Sequence, residues 1–360
     1  ALSCWDKGEL SPQMSEAIIS VLYKGKGDRD LYKSYRPVSL TDVTLRVIDK
    51  AMQMALNEVV PKVLCGINKA FLPGQRIQND TLSVAEVARW VDDHSGGVIA
   101  RLDADKAYDR AQIPFLLQIL RTMRFPPEFI RWIEVLYVDN WARLKVNGHI
   151  GDAFRQRNGL RQGLPSSCPL WLLYIEPLIR YIRDDPNLRG IAIPGPMGEE
   201  APPGQAPTVK ITAFADDLTP YCATPGELGY IADDIMPLWH RASAQINSTE
   251  KFTASLLGTA KAMPRPPIVI KAWQVYGVDD ADPTLGVRIG SVPQVHAQWA
   301  AKAKEVEKLA MDVAAGRRLG GSIYARSALA KGAFASKLFY TFLVQAPWEP
   351  AREAVFESVQ

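Results

Sequence analysis

The sequence predicts an α+β fold with a mixed or antiparallel sheet. Three observations predict it. Seven segments carry the 3.6-residue apolar period of amphipathic helices, and six short runs are of β type. Through the centre, the order strand–helix–strand–strand replaces the strict alternation of a parallel α/β sheet. The chain has 360 residues, 47% hydrophobic and 22% charged, a composition that excludes disorder, collagen and coiled coil as overall descriptions. At about 150 residues per domain, two to three domains or subdomains are expected.

Taken in order, helical periodicity runs through 43–60, 81–93, 113–123, 128–138, 170–183, 227–246 and 294–315, with a further helical stretch at 319–344. The β-type runs are 98–103, 143–146, 209–214, 218–222, 268–276 and 285–289. Asn147-Gly148, after the second of these, is a type I′ hairpin signal, because both central residues of that turn need positive φ. Pro/Gly-rich loops are expected at 194–207 and 263–267. The most apolar stretch, 170–182, is interrupted by Glu176 and Arg180.

Charge and cysteine content narrow the function. Lys and Arg number 42 against 39 Asp and Glu, a net +3, so no global basic excess announces nucleic-acid binding. Local windows differ: Arg143, Lys145, Arg155, Arg157 and Arg161 face only Asp152. The stretch 302–337 holds eight basic and three acidic residues. Four scattered cysteines with no CxxC pair argue against a disulfide framework or zinc ribbon and for a reducing compartment. No apolar targeting segment is visible, and the chain starts at Ala1 and stops mid-pattern at Gln360, as expected of a piece of something longer.

Five Asp-Asp pairs occur, at 92–93, 184–185, 216–217, 233–234 and 279–280. Four sit at helix ends, within a helical run or in a loop, where solvation or capping accounts for them. Asp216-Asp217 lies instead between two apolar β-type runs, so adjacent carboxylates there repel one another and lose solvation. A divalent cation removes both penalties. The run 98–103 also ends in a carboxylate, Asp103. Two strand ends carrying hard oxygen ligands suit a two-metal phosphoryl-transfer site.

The ordered motifs resemble the reverse transcriptases of non-LTR, LINE-type retrotransposons. Lys24, then Tyr35-Arg36-Pro-Val-Ser-Leu40, and Phe71-Leu-Pro-Gly-Gln-Arg-Ile77 are similar to the fingers motifs. Leu102-Asp103-Ala-Asp-Lys-Ala-Tyr108, Asn158-Gly-Leu-Arg-Gln162-Gly163 and Phe214-Ala-Asp216-Asp217 resemble three palm motifs. Ala244-Gln-Ile-Asn247 with Lys251 looks like the fourth, and Leu285-Gly286-Val287 like the primer grip. Two departures stand out, Leu164-Pro-Ser-Ser-Cys168 after Gln-Gly and an apparently shortened segment before the fourth motif.

The resemblance implies a right-hand polymerase, with fingers over 1–97 and a palm with a ferredoxin-like antiparallel sheet over 98–290. A fingers-associated segment at about 120–165 and an incomplete helical thumb over 291–360 complete it. Asp103 and Asp216 would bind two Mg²⁺, or Mn²⁺ as substitute, with Asp217 a weaker or indirect participant. Lys24 and Arg36 would hold the triphosphate, although each taken alone reads as a solvated cation. Tyr108 would exclude a 2′-OH, Gln162 and Gly163 would lie against the nascent pair, and Lys251 would protonate pyrophosphate. Implied partners are an RNA template, a DNA or RNA primer, the RNA–DNA hybrid and dNTPs. The basic hairpin and thumb helices would contact duplex backbone. A ribonucleoprotein in nucleus or cytoplasm is the expected setting, with no membrane partner. A decayed or domesticated RNA-binding scaffold and an intron maturase-type polymerase are the alternatives.

Overall fold

The computed structural model describes residues 2–25, 27–193, 207–246, 253–262, 274–276, 282–284, 287–289 and 292–314. The expected helix at 319–344 and nearly all of the loop at 194–207 lie outside these residues. Two short helices, α1 (Leu2–Lys7) and α2 (Pro12–Ser15), lead into β1 (Glu16–Tyr23) and β2 (Tyr35–Leu40). Periodicity predicts no element before residue 43. The reason is that β1 carries apolar side chains on both faces, six of its eight residues being half-buried, so the alternation of a one-sided strand is lost.

Helix α3 (Val43–Val63) begins where Asp42 accepts hydrogen bonds from the Thr44 and Leu45 amides, a side-chain N-cap. Helix α4 (Ile77–His94) follows, then β3 (Gly96–Asp103), the single turn α5 (Ala107–Arg110), α6 (Ile113–Thr122) and α7 (Pro127–Tyr137). The hairpin β4 (Asn140–Val146) and β5 (His149–Gln156) turns at Asn147 and Gly148, with φ of 50° and 86°, as the dipeptide predicts. These strands join the first two in one sheet, order β2-β1-β4-β5, in which β1 and β4 are parallel.

Helix α8 (Ser167–Asp184) crosses the core with Leu170 through Tyr174 fully buried. An apolar helix on all sides is an interior helix. The two charges that interrupt its pattern pair with each other: buried Glu176 accepts from Arg180 Nε at 2.7 Å and from the Cys65 amide at 2.6 Å. The short pair β6 (Ile191–Ala192) and β7 (Thr208–Val209) precedes the hairpin β8 (Ile211–Phe214) and β9 (Asp217–Cys222). Helices α9 (Pro225–Tyr230) and α10 (Met236–Ser243) flank a π-helical turn at Ile231–Ile235. Next come β10 (Thr253–Gly258), β11 (Gln274–Tyr276), β12 (Asp282–Thr284), β13 (Val287–Ile289) and α11 (Val292–Ala314).

The central sheet has the order β11-β10-β3-β9-β8. Leaving aside β11, it is the ββ-split, β-α-β-β-α-β arrangement of ferredoxin-like folds, with β3 antiparallel to both neighbours. The expected antiparallel sheet is therefore observed, with one parallel pair, β10–β11, at its edge. All four cysteines are free. Among the described residues no helix is long and apolar enough to cross a membrane.

Candidate active site

The site begins with two strand ends. Strand β3 is buried along nearly its whole length and terminates in Asp103, which is 9% exposed. Strands β8 and β9 are joined by only Ala215 and Asp216, and Phe214 pairs with Asp217 across that turn. Because β3 and β9 lie side by side, Asp103 and Asp217 are cross-strand partners, with Asp216 beside them. Residues 113 positions apart in sequence are thus placed together by sheet register, as the sequence pattern anticipates.

The three carboxylates are not equivalent. Arg101, two residues before Asp103 on β3, donates from Nη2 to Asp217 Oδ1 at 3.0 Å. One Asp217 oxygen is therefore engaged by a cation of the protein, which suits the lesser role expected of it. Among the described residues, no group of three His, Cys, Asp or Glu side chains is arranged to hold a metal. Asp103 and Asp216 nonetheless offer hard oxygens of the kind a magnesium-sized ion takes, commonly one or two carboxylates completed by water and substrate phosphates. The donor chemistry fits.

Tyr108 stands on α5. Its ring stacks on buried Trp171 of α8, centroids 5.4 Å apart. Burial raises the phenol pKa, and hydrogen bonding to Cys168 and the nearby Asp216 charge add to the rise. The hydroxyl stays neutral. Lys106, just before α5, adopts left-handed φ of 53° and sets its ammonium 5.0 Å from the Tyr32 ring centroid, a cation–π contact.

Gln162 donates from Nε2 to Asp109 at 3.1 Å, and its carbonyl accepts from the Ser39 amide at 2.7 Å. Burial raises the Asp109 carboxyl, and the Gln162 hydrogen bond partly offsets this. At Gly163, φ is +138° and a Cβ would come within 2.3 Å of the Ser39 carbonyl. The close approach that needs glycine in this structure is made to Ser39 of β2.

Of the remaining predicted residues, Lys24 donates to the Lys33 carbonyl at 2.7 Å, while Arg36 is exposed on β2. Val287 opens β13. Lys251, Leu285 and Gly286 lie outside the described residues, as does Asn247. The basic hairpin needs a correction. Arg161 is fully buried, donating to the carbonyls of Ser15 (2.5 Å) and Trp141 (3.5 Å), so it is no contact for a duplex. Arg143 pairs with Glu16 and Arg155 with Asp139. Single residues gave no signal for three neighbours of the site: Arg101, Trp171 and Asn68. Asn68 lies three residues before Phe71 and reaches the turn only through the fold.

Carboxylates at adjacent ends of a ferredoxin-like sheet, beside a buried aromatic ring, define a polymerase palm. Residues 24–289 match the family described as reverse transcriptase (RNA-dependent DNA polymerase), and the chain belongs to that family. The resemblance to non-LTR retrotransposon enzymes is borne out by relatives. The chain is 29% identical over 214 residues to the "Transposon TX1 uncharacterized 149 kDa protein" of Xenopus laevis, covering 59% of this chain and 15% of that one. It is 25% identical over 233 residues to the "Retrovirus-related Pol polyprotein from type-2 retrotransposable element R2DM" of Drosophila melanogaster, covering 64% and 20%. The matches thus span a fifth or less of these relatives. The apo telomerase structure of Candida tropicalis aligns at a TM-score of 0.47 and 10% identity, covering 99% of this chain and 70% of that one. The family in general uses divalent metal ions.

Proposed function

We propose that this chain is the polymerase core of a non-LTR retrotransposon protein, adding deoxynucleotides to a primer 3′-OH on an RNA or DNA template. The observation that carries the reading is the cross-strand pairing of Asp103 with Asp217, with Asp216 in the adjoining turn. In the reaction the 3′-oxygen loses its proton and bonds to the α-phosphorus, and pyrophosphate leaves with its electron pair. Two Mg²⁺ ions, when bound, would activate the attacking oxygen and offset charge on the leaving group. Asp103 and Asp216 would hold them, and Asp217, tied to Arg101, would orient the turn.

The protein's other groups bind and select. Arg36 and Lys24, on and beside the fingers sheet, would meet the triphosphate charge. Lys251 would deliver a proton to the pyrophosphate. Tyr108, held flat against Trp171, would meet the sugar and exclude a 2′-OH. Template, primer and hybrid would be bound largely through their backbones. The setting we propose is an intracellular ribonucleoprotein.

Primer extension on an RNA template, with dNTPs or rNTPs and with or without Mg²⁺, tests this. Extension should require dNTPs and Mg²⁺, and Asp216→Asn should lower it by about a thousandfold or more. Extension that survives the substitution, or that prefers rNTPs, would overturn the reading. A folded chain that binds RNA but never extends a primer would favour the scaffold.

A further inference from the structure

The Ala215-Asp216 turn is held by contacts that no catalytic motif supplies. Ala215 has φ of +58°, a left-handed conformation that residues with a side chain seldom adopt. Both of its backbone polar groups are taken by one side chain. Asn68 Nδ2 donates to the Ala215 carbonyl at 2.9 Å, and the Ala215 amide donates to Asn68 Oδ1 at 3.1 Å. The same carbonyl accepts a further hydrogen bond, from Trp171 Nε1 at 3.2 Å. Asn68 is 1% exposed and Trp171 wholly buried, so water cannot replace these bonds. The Asn68 backbone also forms an isolated parallel bridge with Ala213 of β8. A carboxamide matches a peptide group donor for acceptor and acceptor for donor, and here the match closes on the residue immediately before Asp216.

From this we infer that Asn68 and Trp171 are positioning residues: they fix Ala215 in its left-handed conformation and thereby aim the Asp216 carboxylate. The inference rests on the reading of Asp216 as a cation ligand. Trp171 extends the effect, because its indole N–H holds the turn while its face supports the Tyr108 ring. The cation-holding turn and the sugar-facing ring therefore share one rigid support. Asn68 belongs to the segment leading into Phe71-Leu-Pro-Gly, so that segment reaches into the palm.

Three measurements on Asn68→Ala test the inference. Hydrogen exchange of the Ala215 amide, followed in a peptide covering the turn, should quicken by about tenfold or more, because its acceptor is gone. Exchange along β3 should not change. Mn²⁺ affinity, read from the electron paramagnetic resonance of the free ion, should fall by about tenfold, the usual scale for losing a group that orients a ligand. For dNTP addition kcat should fall by about tenfold with KM within about twofold, since ground-state binding of the nucleotide is left intact. If Asn68→Ala does not fold, Trp171→Phe keeps the aromatic stack and removes one donor. It should then show the same changes in Mn²⁺ affinity and kcat, smaller in size.

A folded Asn68→Ala protein with parental exchange at Ala215 and parental Mn²⁺ affinity would overturn the inference. So would a loss confined to thermal stability, which marks a purely structural role. A parent that neither extends primers nor binds Mn²⁺ would sink the polymerase reading instead. Amide exchange at Ala215 would still report on the clamp.

Discussion

As the proposed sugar gate, Tyr108 would have to present a bulky edge to the sugar and not swing away when a ribose arrives. The stack on Trp171 satisfies the second requirement. On that proposal Tyr108→Ala should raise the ratio of rNTP to dNTP incorporation by at least about tenfold, because the discrimination would rest on a steric clash. Single-nucleotide extension with each substrate checks it. A ratio that does not move would place the sugar elsewhere. Asp49 shows a different residue-scale effect. It is fully buried, accepts hydrogen bonds from the Ser166 amide and hydroxyl, and its pKa is raised from 3.8 by desolvation. The folded state thus holds this proton more tightly than the unfolded chain. That contribution is complete below the unfolded pKa and is lost as pH rises through the folded one. Asp49→Asn removes the titration while leaving an oxygen for Ser166. The melting temperature of the variant, relative to the parent, should climb as pH rises from about 4 toward neutrality. A constant difference across that range would show that Asp49 stays ionised.

Elements owe their places to contacts of the Arg161-Gln162-Gly163 run as much as to their own periodicity. This run meets β1's entry, β2 and β4 through Ser15, Ser39 and Trp141, and so ties three strands of the first sheet to one loop. Gly163→Ala would drive a methyl into the Ser39 carbonyl at a φ that disfavours any side chain. Overpacking of this kind costs about 1–3 kcal/mol, and the backbone term adds to it. The melting temperature should drop by several degrees, with exchange quickened in β2 before β3. What sequence could show follows the same division. The palm strands end in charged residues after apolar runs, so β3 and the β8–β9 hairpin, and with them Asp103, Asp216 and Asp217, were legible. The Asn147-Gly148 turn was legible because its φ values permit little else. Strands β1 and β2 were not, because both faces are half-covered. Asn68 and Trp171 were not, because an amide and an indole at unremarkable positions gain their meaning only when Ala215 arrives beside them. Arg161 misled in the opposite direction: a basic residue in a basic window reads as surface, and burial cannot be seen in charge. Its guanidinium is desolvated enough to lower the pKa to about 10, so the buried side chain remains a cation.

At the scale of the whole molecule, the balance of +3 is accompanied by ion pairing inside the basic windows. Within the basic window 143–161, Arg143 and Arg155 are in ion pairs and Arg161 is interior. On α11, Lys302 pairs with Glu305. The exposed cations of these windows, among the described residues, include Lys145, Arg157, Lys304 and Lys308. Counterion release makes affinity for a duplex fall with salt at a slope near 0.9 per phosphate neutralised, somewhat less for single strands. The slope therefore counts the cations that meet phosphates. Neutralising Lys145 and Arg157 together, as Lys145→Gln with Arg157→Gln, should lower the magnitude of the log–log slope by about 2. Neutralising Arg143 and Arg155 should change it less, because Glu16 and Asp139 already oppose them. Fluorescence anisotropy of a labelled RNA–DNA hybrid between about 50 and 200 mM salt measures both slopes. If the second pair changes the slope as much as the first, the ion pairs must open when the hybrid binds, and the hairpin would then count all its surface arginines as contacts.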